Sequence, residues 1–329
     1  MTAAQARPAI GVEEMRDRLT GGAWDDAVER CAIPAADLDG LLGCREQVLD
    51  DPARLADTAT YTAALRRDRG DLHPSGQENW ATRFDPHDPQ AAAIDRYFFV
   101  FALLAAVPDA LEYHRSVGVD DARSRATFAD FGLHLRVFRR TFDRGGLHVQ
   151  SWFRLHFTGL LYDLGRLQFN RGTFDVDPDD ARAARAPIEA GAFCLHAHIP
   201  AAGPLRPAEV AASFATAIPF FAEHFPDEPY PVATCGSWLL DPQLADYLPA
   251  DSNIVRFGRL FTLVGVGRDG DEDMQNFVCR KPGSPIDALP QRSALERAAV
   301  EHWRRGRHWA VCTGWVALSD AAGRADPRP

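Results

Sequence analysis

Apolar side chains recur every three or four positions along residues 13–19, 35–49, 52–67, 90–107 and 120–142, with charged residues between them. This spacing predicts five helices. Strand-like alternation is nearly absent from this half, so it is expected to be all-helical. The run YFFVFALLAAV at 97–107 is apolar over eleven residues, whereas a membrane span needs about twenty. It is expected to be a buried core helix. Asp120 or Asp121 offers an N-cap for the last helix, and Gly145 and Gly146 are expected to end it, because glycine tolerates C-cap backbone angles. The domain boundary is therefore placed at Gly146, giving a helical domain over residues 1–146.

Beyond that point the pattern changes. Stretches 160–170, 193–199, 232–240, 260–266, 276–280 and 309–318 read as strands, several with period-two alternation. Two helices stand among them. One starts at Pro207, a favoured first helical position, aligns Val210, Phe214, Ala217 and Phe221, and is expected to kink at Pro219. The other opens with a capping box, Ser293 with Glu296, and aligns Leu295, Ala299 and Trp303. The expected fold class is α+β, with a mixed α/β domain over 147–320 and a flexible tail over 321–329.

Composition narrows the function. The 329 residues hold 36 basic and 46 acidic side chains, a net charge of −10, which disfavours nucleic acid and anionic membrane surfaces as partners. Lys281 is the only lysine; it is expected in a loop before Pro282, which offers little to amine-based covalent catalysis. The six cysteines are scattered, without a C-x-x-C pair, so no metal module is expected. The first ten residues lack the apolar core of an export signal, and reduced thiols and a cytoplasmic location are expected.

Two segments carry the candidate chemistry: FCLHAHIP at 193–200 and VATCGSWLLDP at 232–242. On a strand, Cys194, His196 and His198 share one face and Phe193, Leu195, Ala197 and Ile199 the other. Histidine titrates nearest neutrality, so His198, at the strand end, is the candidate general base, and His196 is read as orienting it. Both histidines also fit a merely hydrogen-bonded structural role. Cys235 and Ser237 share a face of the next strand and are candidates to protonate a departing thiolate; a small core side chain is the competing reading for Cys235. Between the two strands, residues 200–207 deliver the chain to a helix N-terminus, a place suited to a phosphate group, with Arg206 as a further charge. The arginines at 292, 297, 304, 305 and 307 are read as a solvated helix face, with an acidic carrier protein as the alternative partner.

The motifs HIP at 198–200, AEHFP at 222–226, CGSWLLDP at 235–242 and LPADSNIVRF at 248–257 resemble the two-domain acyltransferases that join a helical N-acyltransferase N-terminal domain to a GNAT-like C-terminal domain. The resemblance implies a GNAT-like domain with a central, mostly antiparallel sheet. It also implies acyl-coenzyme A as co-substrate, a small-molecule amine acceptor, and direct attack on the thioester without an acyl-enzyme. By order of elements, 193–199 matches the strand that donates the base, and 200–225 the loop and helix that hold the pyrophosphate. Segment 232–240 matches the strand that splays away. Ile199, Ala201, Ala202, Gly203, Leu205, Arg206, Trp238 and Asn253 are the implied coenzyme A contacts. The Gln/Arg-x-x-Gly-x-Gly/Ala pattern of that loop is absent from 200–207, which keeps a pantetheine arm on a carrier protein as an alternative donor. A Cys235-linked acyl-enzyme, a non-catalytic thioester-binding module and a homodimer built on the helical domain are further alternatives.

Overall fold

Asp51 accepts hydrogen bonds from the N–H groups of Ala53 and Arg54 and so opens the helix Pro52–Arg67, whose first residue is a proline with no N–H to satisfy. This helix belongs to the first of two units, Met1–Asp163 and Leu164–Pro329, into which the chain divides. The computed structural model describes residues 9–323. The helices of the first unit are α1 Val12–Arg18, α2 Gly21–Arg30, α3 Ala35–Asp50, α4 Pro52–Arg67, α5 Ala93–Ser116, α6 Asp121–Phe142 and α7 Gln150–Phe157, followed by a short strand, β1 Leu161–Asp163. Every side chain from Tyr97 to Val107 is buried, so α5 is the centre of the unit. No helix among the described residues is long and apolar enough to cross a membrane.

One expectation changes here. The left-handed residue that ends α6 is Asp143, at φ 55°, rather than a glycine. Gly145 is needed for space instead: a Cβ there would lie 1.7 Å from the Tyr97 hydroxyl and 2.3 Å from the Asp37 carboxylate. That carboxylate is fully buried and accepts from both Tyr97 and Arg139, each at 2.7 Å, so a displacing methyl group would cost a buried ion pair. The two compact units of the chain divide at Asp163–Leu164. The reason is α7, whose Phe153 and Phe157 are buried in the helical core.

The second unit contains β2 Gln168–Thr173, β3 Phe193–His198, β4 Val232–Ser237, β5 Thr262–Asp269 and β6 Ala310–Ala317, in the spatial order β2-β3-β4-β6-β5. The pairs β2/β3, β4/β6 and β5/β6 are antiparallel, and β3/β4 is parallel. Its helices are α8 Pro178–Ala183, α9 Pro207–His224, α10 Asn253–Gly258, α11 Asp271–Met274, α12 Ala294–Arg304 and α13 Leu318–Gly323. The Ser293–Glu296 capping box opens α12 as the sequence predicts.

Three strand expectations are corrected. Stretch 160–170 is not one strand, because the Leu164 N–H closes a turn on the Leu167 carbonyl with Gly165 at φ 110°. The strand beginning at Val232 ends at Ser237, whose hydroxyl caps the short helical turn Trp238–Leu240. Residues 276–279 are helical, since Gln275–Cys279 continues the turn begun at Asp271 and buries Met274 and Cys279 in the cluster around Trp303 and Trp309, and Arg280 ends it in the left-handed conformation. Residues 321–323 of the expected tail lie in α13; residues 324–329 lie outside the described residues.

Candidate active site

The parallel pair β3/β4 sets the site. On its β2 side, β3 is in register along its whole length, from Thr173↔Phe193 to Gln168↔His198. On its β4 side only Leu195↔Ala233 and His196↔Thr234 are paired. The two strands therefore part beyond His196, and the last residues of β3 have no ladder partner on that side. Backbone groups at such an opening remain available to an extended ligand that carries amides.

Residues paired across a sheet share a face. Asn170, His196 and Thr234 are register partners on neighbouring strands, and they form a polar row with His198 at the same face of β3. His198 Nε2 lies 2.5 Å from Asn170 Oδ1. The Asn170 Nδ2 group donates to the Arg171 carbonyl at 2.8 Å, which orients the amide so that its oxygen faces the imidazole. His198 therefore carries a proton on Nε2, and in the neutral ring the basic lone pair is on Nδ1. His196 Nδ1 meets the Thr234 hydroxyl at 2.7 Å. Burial holds the His196 imidazole below its ordinary value, partly offset by Asp175 and by the Thr173 backbone. Gln168, opposite His198, is 1% exposed, and its Nε2 has no hydrogen bond among the described residues. A buried amide donor in that state is a group a ligand can satisfy.

Cys235 and Ser237 stand one step out of this row. Thr234 shares the histidine face, so its neighbour Cys235 and, two residues on, Ser237 point to the opposite one. Burial pushes the Cys235 thiol up to about 12, and the side chain is 2% exposed. Burial of this kind disfavours the thiolate, the form that acts as a nucleophile. The Ser237 hydroxyl accepts the Leu239 N–H at 3.1 Å. The structure brings His196 and His198 together and leaves these two apart from them.

The loop after β3 is fastened from outside. Arg166 donates through Nε to the Pro204 carbonyl at 2.9 Å, through Nη1 to Pro200 at 3.1 Å and through Nη2 to Gly203 at 2.7 Å. Among the described residues, the N–H groups of Ala201, Ala202, Gly203, Leu205 and Arg206 have no hydrogen-bond partner. Arg206 is also the N-cap of α9, with no side-chain cap, and its guanidinium pairs with Glu209 at the surface. A pair as exposed as this one contributes little. Ile199 is half-buried and Leu205 buried.

Beside the loop lies a cleft of about 240 Å³, bounded by Leu205, Pro207 and Val210 on one side and Asn253, Arg256 and Phe257 on the other. Asn253 is the first residue of α10, capped by Ser252. Arg256 is half-buried, and among the described residues its guanidinium has no hydrogen-bond or ion-pair partner, an arrangement suited to an anionic ligand. Trp238 does not line this cleft; it packs against the cluster around Trp303. Asp241 is structural, accepting from Gln243 N and from Ala310 N at 2.7 Å.

Sequence reading missed Asn170, Thr234, Gln168 and Arg166. The alternation along 166–170 signals a common face for Gln168 and Asn170, but only strand register sets them beside the histidines.

Comparison with known proteins agrees with this architecture. Residues 23–159 match the model of the N-acyltransferase N-terminal domain, and residues 161–316 that of the GNAT-like C-terminal domain. Among solved structures, the chain is 34% identical to an acyltransferase in complex with CoA and 10C-teicoplanin, with a TM-score of 0.77 over 91% of this chain and 88% of that one. It is 33% identical to an acyltransferase bound to decanoyl-CoA, with a TM-score of 0.76 and the same coverage of both chains. A complex with decanoyl-CoA and teicoplanin gives 34% identity and a TM-score of 0.75 over 96% of this chain and 91% of that one. No curated protein matches the chain.

Proposed function

Since the chain belongs to the two-domain acyltransferases that pair an N-acyltransferase N-terminal domain with a GNAT-like C-terminal domain, we propose that it transfers an acyl group from an acyl-coenzyme A thioester to the amine of a small-molecule acceptor. The observation that carries this reading is the opening between β3 and β4 beside His198, continuous in sequence with a loop whose amide donors are unspent. The pantetheine arm, with its two amides, would lie along the unpaired end of β3. The diphosphate would take the N–H groups of residues 201–206 and the start of α9, with Arg256 and Asn253 supplying side-chain contacts from the facing wall. The related structures hold CoA, decanoyl-CoA and teicoplanin, which supports a CoA thioester as donor and a small molecule as acceptor.

In this reading the acceptor nitrogen attacks the thioester carbonyl carbon, the C–S bond breaks, and the sulfur leaves with coenzyme A. His198 takes the proton that the nitrogen must lose, at Nδ1, while Asn170 holds its Nε2–H. His196, kept neutral by burial and fixed on Thr234, supports the row without titrating in it. Cys235 and Ser237 take no part, because they face away from the histidines.

Calorimetric titration with acetyl-CoA and decanoyl-CoA, followed by mass spectrometry of an amine panel, tests the proposal. Micromolar binding with acyl-amide formation that His198→Ala abolishes is the expected result. Binding that leaves every amine unmodified would assign the site to a thioester sensor. A carrier-protein donor presents the same arm without the nucleotide, so no binding of either CoA ester together with turnover of an acyl carrier protein would replace the donor.

A further inference from the structure

We infer that Arg166 is the positioning residue that makes the 200–206 loop a diphosphate site, an inference that rests on the acyl-CoA reading above. This residue lies 34 to 38 positions away in sequence from the three carbonyls it binds. In a trans peptide the C=O and N–H of one unit point in opposite directions. The Pro200 carbonyl turned onto Arg166 therefore aims the Ala201 N–H away from the guanidinium, and the Pro204 carbonyl does the same for Leu205. The Gly203 carbonyl belongs to a peptide whose nitrogen is Pro204, so fixing it costs no donor. All three carbonyl dipoles, which would repel a phosphate, are thus held on one cation.

The loop needs such an anchor because its own composition does not supply one. It lacks the Gln/Arg-x-x-Gly-x-Gly/Ala pattern; Pro200 and Pro204 have no N–H, and Gly203 at φ 122° is the one residue in a conformation that favours glycine. A planar guanidinium presents donors on three nitrogens in a fixed fork and so holds three carbonyls at set positions, whereas an ammonium offers its three N–H donors from a single point. Arg166 thus does from outside the loop what a glycine-rich sequence does from within.

The test compares donors with and without the nucleotide in the full-length protein carrying Arg166→Gln or Arg166→Lys. With acetyl-CoA, Arg166→Gln is expected to raise KM about tenfold or more with kcat little changed, and Arg166→Lys to fall between it and the parent. With acetyl-pantetheine, which has no diphosphate, KM should stay at the parent value in all three proteins. Thermal melting of each variant reports whether the fold is kept. An unchanged KM for acetyl-CoA, or an equal rise with both donors, overturns the role of Arg166. Failure of the parent protein itself to bind CoA overturns the donor reading and this inference together; binding by parent and Arg166→Gln alike overturns only the inference.

Discussion

His198 and Asn170 are joined diagonally across two antiparallel strands, Nε2 to Oδ1 at 2.5 Å. Because the same amide donates to the Arg171 carbonyl, it cannot turn to offer its NH₂ to the ring. The tautomer of His198 is therefore fixed by β2. Replacing His198 with alanine should lower kcat by about 10²–10⁴ and leave KM for acyl-CoA nearly unchanged. Asn170→Asp sets a carboxylate beside the ring, favours the imidazolium and moves the acid limb of the kcat/KM profile to higher pH. A profile unmoved by Asn170→Asp would argue that another group is the base.

Gly172 is held open for a histidine. A Cβ at this position would lie 2.5 Å from His196 Nε2 and 2.7 Å from its Cδ2. Gly172→Ala should cost about 1–3 kcal/mol of stability through overpacking. The loss should be smaller in a His196→Ala background, and a double-mutant cycle measured by denaturation gives the coupling. Additive losses would mean that the ring moves aside freely.

Arg256 should contribute to affinity rather than to rate. Arg256→Ala is expected to weaken CoA binding about tenfold or more, with kcat at saturating donor retained. The affinity of the parent should fall with added salt more steeply than that of the variant. Calorimetry at two salt concentrations is decisive, and equal salt slopes would place Arg256 outside the anion site.

Cys235 should be dispensable for chemistry. With its thiol pushed up to about 12 and buried, Cys235→Ala should keep turnover. Intact-mass measurement during the reaction should show no acyl adduct on the protein. An adduct lost in Cys235→Ala would establish a covalent route instead.

Acid should destabilise the helical unit through His114. Its ring is fully buried, stacks on Phe128 and has no partner at Nε2 among the described residues, and burial holds it down to about 4. Its folded value thus lies below its unfolded value of about 6.5. As pH falls from about 6.5 to 4, the unfolded chain binds a proton that the folded chain refuses, so stability falls over that window. Denaturant titrations from pH 7.5 to 5 should show the decline. His114→Asn should flatten the slope by up to one proton, and an unaltered slope would remove His114 from the account.

Much of the fold was legible in the sequence because its signals are local. The Asp120 cap and the Ser293–Glu296 box are satisfied within one helical turn, and Pro207 suits the first position of its helix by itself, so neighbours a few residues apart suffice to predict them. The eleven apolar residues 97–107 likewise need only be surrounded to be buried. The alternation at 193–199 also placed His196 and His198 on one face. Tertiary structure alone decided what those faces meet. Register put Asn170 and Thr234 beside the histidines and turned Cys235 and Ser237 away, and a shift of one residue would have reversed that outcome. Residues 276–279 carry strand-like side chains yet are helical, because burial of Met274 and Cys279 against Trp303 outweighs a weak local preference. The grip of Arg166 on residues 200–204 joins positions more than thirty apart, and no local pattern encodes a contact that exists only once the chain has folded.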